Sequence, residues 1–264
     1  TPPQIDAYDR DGYLLLPGFL DGGELERWRR AVDDGVSRLV GNADPDIKLF
    51  DNQDRDDFYR DVFVQCVNMW KGSRPVRELV LDERLGRLAA ELVGASGVRL
   101  YHDHALVKNP WANPTNWHLD NPSDPYFSHQ STMLWIALDD ATLQNGCLYF
   151  LPGSHKSSRF ERVTALSETR IDSLFEHYPE WRGIEPVAVE VRAGDAVFIS
   201  GMIAHAAGPN MSRRPRRAFA ILFMPEGATF SGRQSALPDA VFSRLEIGDV
   251  IADDEHLPLL WSGS

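Results

Sequence analysis

A chain of 264 residues with 43% hydrophobic and 10% aromatic side chains can bury a sizeable core, as one large β domain or two smaller ones. Its net charge of −12, from 39 acidic against 27 basic residues, repels phosphate backbones and anionic lipid, which argues against nucleic-acid and membrane partners. No apolar run approaches the ~20 residues of a membrane-spanning helix. No basic-then-apolar leader opens the chain. The two cysteines, Cys66 and Cys147, lie far apart in apolar surroundings, as expected of small buried thiols in a reducing cytoplasm.

The N-terminal third reads as mostly helical. Asp21-Gly22-Gly23-Glu24 has the form of a helix start, and Leu25, Trp28, Val32 and Val36 follow at helical spacing. The stretch from Asp44 to Asp61 is polar and acid-rich, and is either a lid or a mobile connection. A second helix is expected from near Arg74-Pro75 to Leu92-Val93, with Pro75 in its first turn and Gly94 past its end. From Val98 the texture changes to short strands: Val98–Lys108, Thr132–Leu138, Cys147–Leu151, Val187–Val191, Ala196–Ser200 and Ala218–Met224. Asn145-Gly146, Pro152-Gly153, Gly194-Asp195 and Gly208-Pro209-Asn210 supply the turns, and one helix is expected near Ser167–Tyr178.

Helices first and strands second suit a mainly β (α+β) architecture, a double-stranded β-helix or cupin-like jelly roll with helical buttresses. The expected organisation is one domain over 1–264. Residues 1–97 would be helical support with a candidate lid, 98–225 the jelly-roll core and 226–264 a C-terminal extension. The tail from Gln234 to Trp261 would either pack over the barrel mouth or support a dimer, leaving monomer and homodimer both open.

The chemistry-bearing pattern is His118-Leu119-Asp120, followed 85 residues after Asp120 by His205. Residues i and i+2 of a strand share a face, so the tripeptide can deliver an imidazole and a carboxylate together. His205 follows a turn, an apolar strand and a break at Gly201, which brings it out at a strand end. Two histidines and one carboxylate suit Fe(II), leaving coordination positions open for an organic co-substrate and O2. The tripeptide alone is a weak signal, and a core histidine paired with its own Asp120 is the competing reading. Arg216 opens a strand eleven residues after His205. A buried guanidinium needs an anion, and its planar fork suits the distal carboxylate of 2-oxoglutarate. Arg217 would face the other way and be solvated.

Taken in order, four segments carry a family resemblance: His118-Leu119-Asp120, then Asn145-Gly146-Cys147-Leu148-Tyr149-Phe150-Leu151-Pro152-Gly153-Ser154-His155, Gly194-Asp195 leading to His205, and Gly208, Asn210 and Arg216. Together they resemble the phytanoyl-CoA dioxygenase family of Fe(II)/2-oxoglutarate oxygenases. The likeness runs from Asp11-Gly12-Tyr13 to about Pro225. It implies His118, Asp120 and His205 as iron ligands and Arg216 at the C5 carboxylate of 2-oxoglutarate. It also implies Trp135, His102, His104 and Leu106 beside the co-substrate, and a loop-shaping His155. Relatives often have Ser or Thr two residues after the distal histidine, whereas this chain has Ala207, so that hydrogen bond must come from elsewhere or co-substrate affinity is weaker.

The implied reaction consumes O2 and 2-oxoglutarate, releases succinate and CO2, and oxidises a small-molecule metabolite. Asp120 argues against halogenation and for hydroxylation, or for desaturation, cyclisation or epimerisation from the same hydrogen abstraction. The alternative is a non-catalytic metal-binding jelly roll, which would not require Arg216. Position alone nominates Asn116, Asn121, Trp111, Met202, Lys48 and Asn52 as substrate contacts.

Overall fold

The computed structural model describes residues 1–39, the backbone of 48–50, 61–161 and 170–263. Its centre is a long antiparallel pair, β4 (Gly97–Lys108) and β11 (Arg216–Pro225). Around it β1 (Tyr13–Leu16), β2 (Lys48–Phe50), β3 (Val64–Val67), β6 (Thr132–Ala137) and β9 (Ala196–Ser200) form the order β1-β9-β6-β11-β4-β3-β2. β12 (Leu259–Ser262) adds to the free edge of β4 beyond β3, making eight strands. A second sheet has the order β5-β10-β7-β8, from Thr115–His118, His205–Ala207, Leu148–Phe150 and Val187–Val189. Two facing antiparallel sheets are the jelly roll expected from the strand pattern.

Strand alternation sorts the central strands onto two faces. Phe219, Ile221 and Phe223 join Leu134, Ile136 and Phe198 under the helices, with Trp28, Trp70 and Leu85. Ala218, Ala220, Leu222, Trp135 and Val197 turn inward, toward Phe150 and Leu148 of the small sheet. Arg216 shares this inner face and lines a cavity with Trp135 and Leu222. The outer face of the small sheet is covered by Leu174, Tyr178 and Trp181, the last two stacked at 3.8 Å.

The helical layer contains α1 (Pro2–Asp11), α2 (Gly22–Leu39), α3 (Met69–Gly72), α4 (Arg74–Val80) and α5 (Glu83–Val93). The helix expected over 74–93 is two. Asp82 lies in extended conformation and its side chain accepts from Arg84 N at 2.9 Å, starting α5 afresh. α1 was not anticipated. It is anchored by buried Tyr8, which donates to Thr132 at 2.8 Å. Of the helix expected near 167–178, only α6 (Leu174–His177) forms among the described residues; 167–169 lie outside them.

β1, β3 and β12 carry the sheets beyond 98–225 in both directions. The tail lies over the barrel mouth: Phe230 bridges Tyr126, and Leu237, Val241, Ile251 and Leu257 enter the inner core. Val241 belongs to α7 (Asp239–Phe242), a single turn in that tail. Cys66 and Cys147 are free and buried, and burial pushes both thiols up to about 11. No described helix is long and apolar enough to cross a membrane.

Candidate metal and co-substrate site

His118 ends β5 and His205 begins β10, and the two are directly paired across the small sheet. Asp120 is delivered by a turn, not by continued strand. The strand stops at His118, and Asp120 has φ −80 and ψ −57 ahead of the 3-10 turn Asn121–Ser123. Leu119 lines the same cavity. One ligand atom from each of His118, Asp120 and His205 lies within 4.8 Å of the others. His118 Nε2 is 3.5 Å from Asp120 Oδ1, and His205 Nε2 is 3.7 Å from Oδ2.

Both imidazoles are oriented from behind. His118 Nδ1 meets the Asn116 carbonyl at 2.8 Å and His205 Nδ1 meets that of Ile203 at 3.1 Å. A carbonyl can only accept, so Nδ1 carries a proton and Nε2 is the ring nitrogen left facing Asp120. Burial, reinforced by His118, pushes His205 down to about 4. Burial would raise the Asp120 carboxyl, but His205 and His118 outweigh it and hold it below the usual range. Asp120 Oδ2 is buried with no hydrogen-bond partner among the described residues. Two imidazole nitrogens and an ionised carboxylate with an unmet oxygen form a donor set that fits a divalent transition metal.

The segment carrying His205 is fixed by Pro152-Gly153-Ser154-His155. The Ser154 hydroxyl accepts from Ala204 N at 2.9 Å, and Leu151 N donates to the Ala204 carbonyl at 3.0 Å. His155 Nε2 meets the Asp9 carbonyl at 3.1 Å, tying this loop to α1. The close approach explains Gly12, where a Cβ would come within 2.5 Å of His155 Nδ1 and φ is +85.

A cavity of about 520 Å3 joins the triad to Arg216, which is 3% exposed. Arg216 Nε and Nη1 are buried without partners among the described residues, and the guanidinium carbon lies 5.4 Å from the Trp135 ring. Burial pushes this group down to about 10. His102, His104 and Leu106 line the cavity from β4, and Trp135 lines it from β6. Burial lowers His104 to about 4, and burial with His104 beside it lowers His102 to about 3. Gln65 Nε2 donates to His104 Nδ1 at 3.3 Å.

Lys108 escaped the sequence reading. It faces Arg216 across the β4–β11 pair and is fully buried. Its ammonium donates to the carbonyls of Val62 at 3.1 Å and Asn113 at 2.6 Å. Burial, with Arg216 beside it, drives its pKa well below the usual range. Strand parity was the available signal, since 102, 104, 106 and 108 alternate in step. Arg217 was expected in solvent. It instead pairs with Asp139 at 2.8 Å and Asp33 at 2.6 Å on the helical side.

The nominated substrate contacts mostly fall elsewhere. Asn121 is fully buried and its amide is spent on Asp124, the Tyr126 carbonyl and Ser128 N. Asn116 and Met202 are buried outside the cavity lining. Trp111 is 63% exposed and lines a separate groove of about 300 Å3 that shares Phe63 with the main cavity. Asn52 and the Lys48 side chain, with most of the 44–61 segment, lie outside the described residues. The cavity is lined instead by Asp124 and by Arg233, Gln234, Ser235 and Ala236 of the tail. No motif marks these, because a return of the tail to the mouth leaves no local signal.

Comparison with known proteins gives concordant findings. The family profile for phytanoyl-CoA dioxygenase (PhyH) matches residues 8–218. The mouse phytanoyl-CoA dioxygenase domain-containing protein 1 is 37% identical over 267 residues, covering 87% of this chain and 91% of its own. The non-haem α-ketoglutarate-dependent carbocyclase SnoK from nogalamycin biosynthesis superposes with a TM-score of 0.79 at 28% identity, covering 98% of this chain and 96% of its own. The epimerase SnoN, in a complex with Fe3+, α-ketoglutarate and nogalamycin RO, gives 0.76 at 26% identity with 98% of each chain covered.

Proposed function

This chain belongs to the phytanoyl-CoA dioxygenase family and is a non-haem iron, 2-oxoglutarate-dependent oxygenase; from that premise we propose that His118, Asp120 and His205 hold the iron and Arg216 holds the far carboxylate of 2-oxoglutarate. The observation that carries this reading is a pair of unmet polar groups on residues that line one cavity: Asp120 Oδ2, and Arg216 Nε and Nη1. Each is costly to bury alone, and each is matched in charge by one end of an iron–2-oxoglutarate pair.

When bound, Fe(II) and 2-oxoglutarate supply the oxidising chemistry, in which O2 is consumed, succinate and CO2 are released and a hydrogen is removed from the substrate. The chain's own residues orient and shield. Asn116 and Ile203 carbonyls fix the two imidazole planes, and Asp120 supplies one negative charge against the dication. Trp135, Leu106, Leu148 and Leu222 wall the cavity with apolar surface. His102 and His104, kept neutral by burial, are available as hydrogen-bond partners near its iron-proximal end. Asp120 fills the position a halide would need, which supports hydroxylation or another outcome of hydrogen abstraction.

The substrate reading is a small polar or amphiphilic metabolite entering past Asp124 and the 233–236 segment. The rest of the reading is one oxygenase domain over 1–264, cytoplasmic, monomer or homodimer, without nucleic-acid or membrane partners; two free buried thiols and the net charge of −12 support it. The test is anaerobic addition of Fe(II) and then 2-oxoglutarate to the metal-free protein. A weak visible charge-transfer band that saturates at one equivalent of each is expected. A folded protein that gives no band would sink the assignment.

A further inference from the structure

The Arg216 fork satisfies at most part of a carboxylate, which offers about four lone-pair sites of which a bidentate guanidinium takes two. The other sites must be met inside the cavity or left desolvated. Of the lining side chains on the strands around Arg216, Leu106, Leu148, Ala206 and Ala207 are apolar, and Gln65, opposite Leu106, turns its amide to His104 at 3.3 Å. Thr115 is the neighbouring hydroxyl.

Its placement follows from an irregularity in the small sheet. His205 pairs with His118, so regular antiparallel pairing would set Asn116 opposite Ala207. The register shifts between His205 and Ala207, and Thr115 takes that place. Directly opposed residues share a face with Cβ atoms about 4.5–5.5 Å apart. Thr115 and Ala207 accordingly both line the cavity, each 8% exposed. Two further links tie Thr115 to the Arg216 end. Ala207 pairs on its other side with Leu148, and a Cβ on nearby Gly146 would meet both the Lys108 side chain at 2.7 Å and the Gly208 carbonyl at 2.8 Å. Lys108, the strand partner of Arg216, holds the Asn113 carbonyl two residues before Thr115.

We propose that the Thr115 hydroxyl donates a hydrogen bond to the C5 carboxylate of 2-oxoglutarate, completing with Arg216 the seat for that group. It is a co-substrate positioning residue supplied by the strand opposite Ala207, and it rests on the reading of Arg216 above.

The test is an anaerobic titration of the Fe(II)-loaded protein, read by the charge-transfer band, with two ligands. One is 2-oxoglutarate; the other is 2-oxopentanoate, which has a methyl group in place of the C5 carboxylate. Thr115→Val is expected to weaken 2-oxoglutarate by about ten- to a hundredfold, as for a lost hydrogen bond to a charged group, and to leave 2-oxopentanoate unchanged. Thr115→Ser should stay within about threefold of the parent, and Ala207→Ser added to Thr115→Val should recover most of the loss. If Thr115→Val does not fold, Thr115→Ala serves in the same comparison. Unchanged 2-oxoglutarate affinity, or equal weakening of both ligands, overturns the proposal. Arg216→Met in the same titration separates the two levels: if it leaves 2-oxoglutarate affinity intact, the underlying reading of Arg216 fails, whatever Thr115 does.

Discussion

The two sheets contribute differently to the site. The eight-stranded sheet is centred on two long strands, twelve residues in β4 and ten in β11, whose register shifts once between Leu222 and Phe223, and from it come Arg216, Trp135, His102, His104 and Leu106. The four-stranded sheet has strands of three or four residues with a register shift, and from it come His118 and His205. A regular sheet projects side chains at fixed two-residue intervals, which suits a channel of constant width. A metal site needs three donors converging on one point. Strand ends, a turn and a bulge give that convergence, and backbone carbonyls behind each imidazole hold it. A stretch in register from His102 to Lys108 thus lays out the co-substrate cavity, and strand ends with a turn position the ion.

That division can be broken by substitution. The largest effect is expected at the small sheet: His118→Ala should reduce bound iron from one equivalent toward none, measured by metal analysis after anaerobic loading and desalting. Asp120→Ala should do the same, since it leaves two nitrogens without the charge that partners the dication. On the large sheet Arg216→Met should retain iron yet weaken 2-oxoglutarate by about a hundredfold or more, the cost of losing a buried charge-assisted pair. If Arg216→Met instead released the iron, the two sheets would not be separable in this way.

The same contrast governs what was legible in the sequence. β4, β6, β9 and β11 show as apolar runs with turn residues at their ends, and the predicted spans agree within a few residues. β5 and β10 are too short to carry a periodic signal, yet the H-x-D tripeptide and the glycine break before His205 mark their ends chemically. The structure brings these three residues together although the extended-strand argument for Asp120 did not hold. Cross-strand facts left no local trace: Lys108 under Arg216, Thr115 opposite Ala207, and the tail returning Arg233–Ala236 to the mouth. The split between α4 and α5 was readable in Asp82, a capping residue inside an otherwise helical run.

A smaller effect concerns acid stability, to which His205 of the small sheet, also lowered to about 4, adds beside two histidines of the large sheet. Burial lowers His102 to about 3 and His104 to about 4, whereas both titrate near 6.5 when unfolded. Between pH ~4 and ~6.5 the unfolded chain therefore binds protons that the folded chain does not. Stability of the metal-free protein should fall as pH drops through this window, by up to about 1.4 kcal/mol per pH unit for each histidine. Thermal melts from pH 7 to pH 5 measure the slope. His104→Gln should flatten it, and an unchanged slope would show that His104 is protonated in the folded state.

The smallest effect is expected one residue from one of the largest. Arg217 follows Arg216 on β11 but faces the helices, where it joins Asp139 of the loop after β6 to Asp33 of α2. Its side chain is 27% exposed and Asp33 is 50% exposed, so solvent screens much of the attraction. Arg217→Ala should cost about 1 kcal/mol of stability, measured by denaturant unfolding, and more of that through Asp139 than through Asp33. Co-substrate affinity should not change, because the substitution leaves the inner face untouched. A shift in 2-oxoglutarate affinity comparable to that of Arg216→Met would mean that β11 moves as a unit, and that the two faces of the large sheet are coupled.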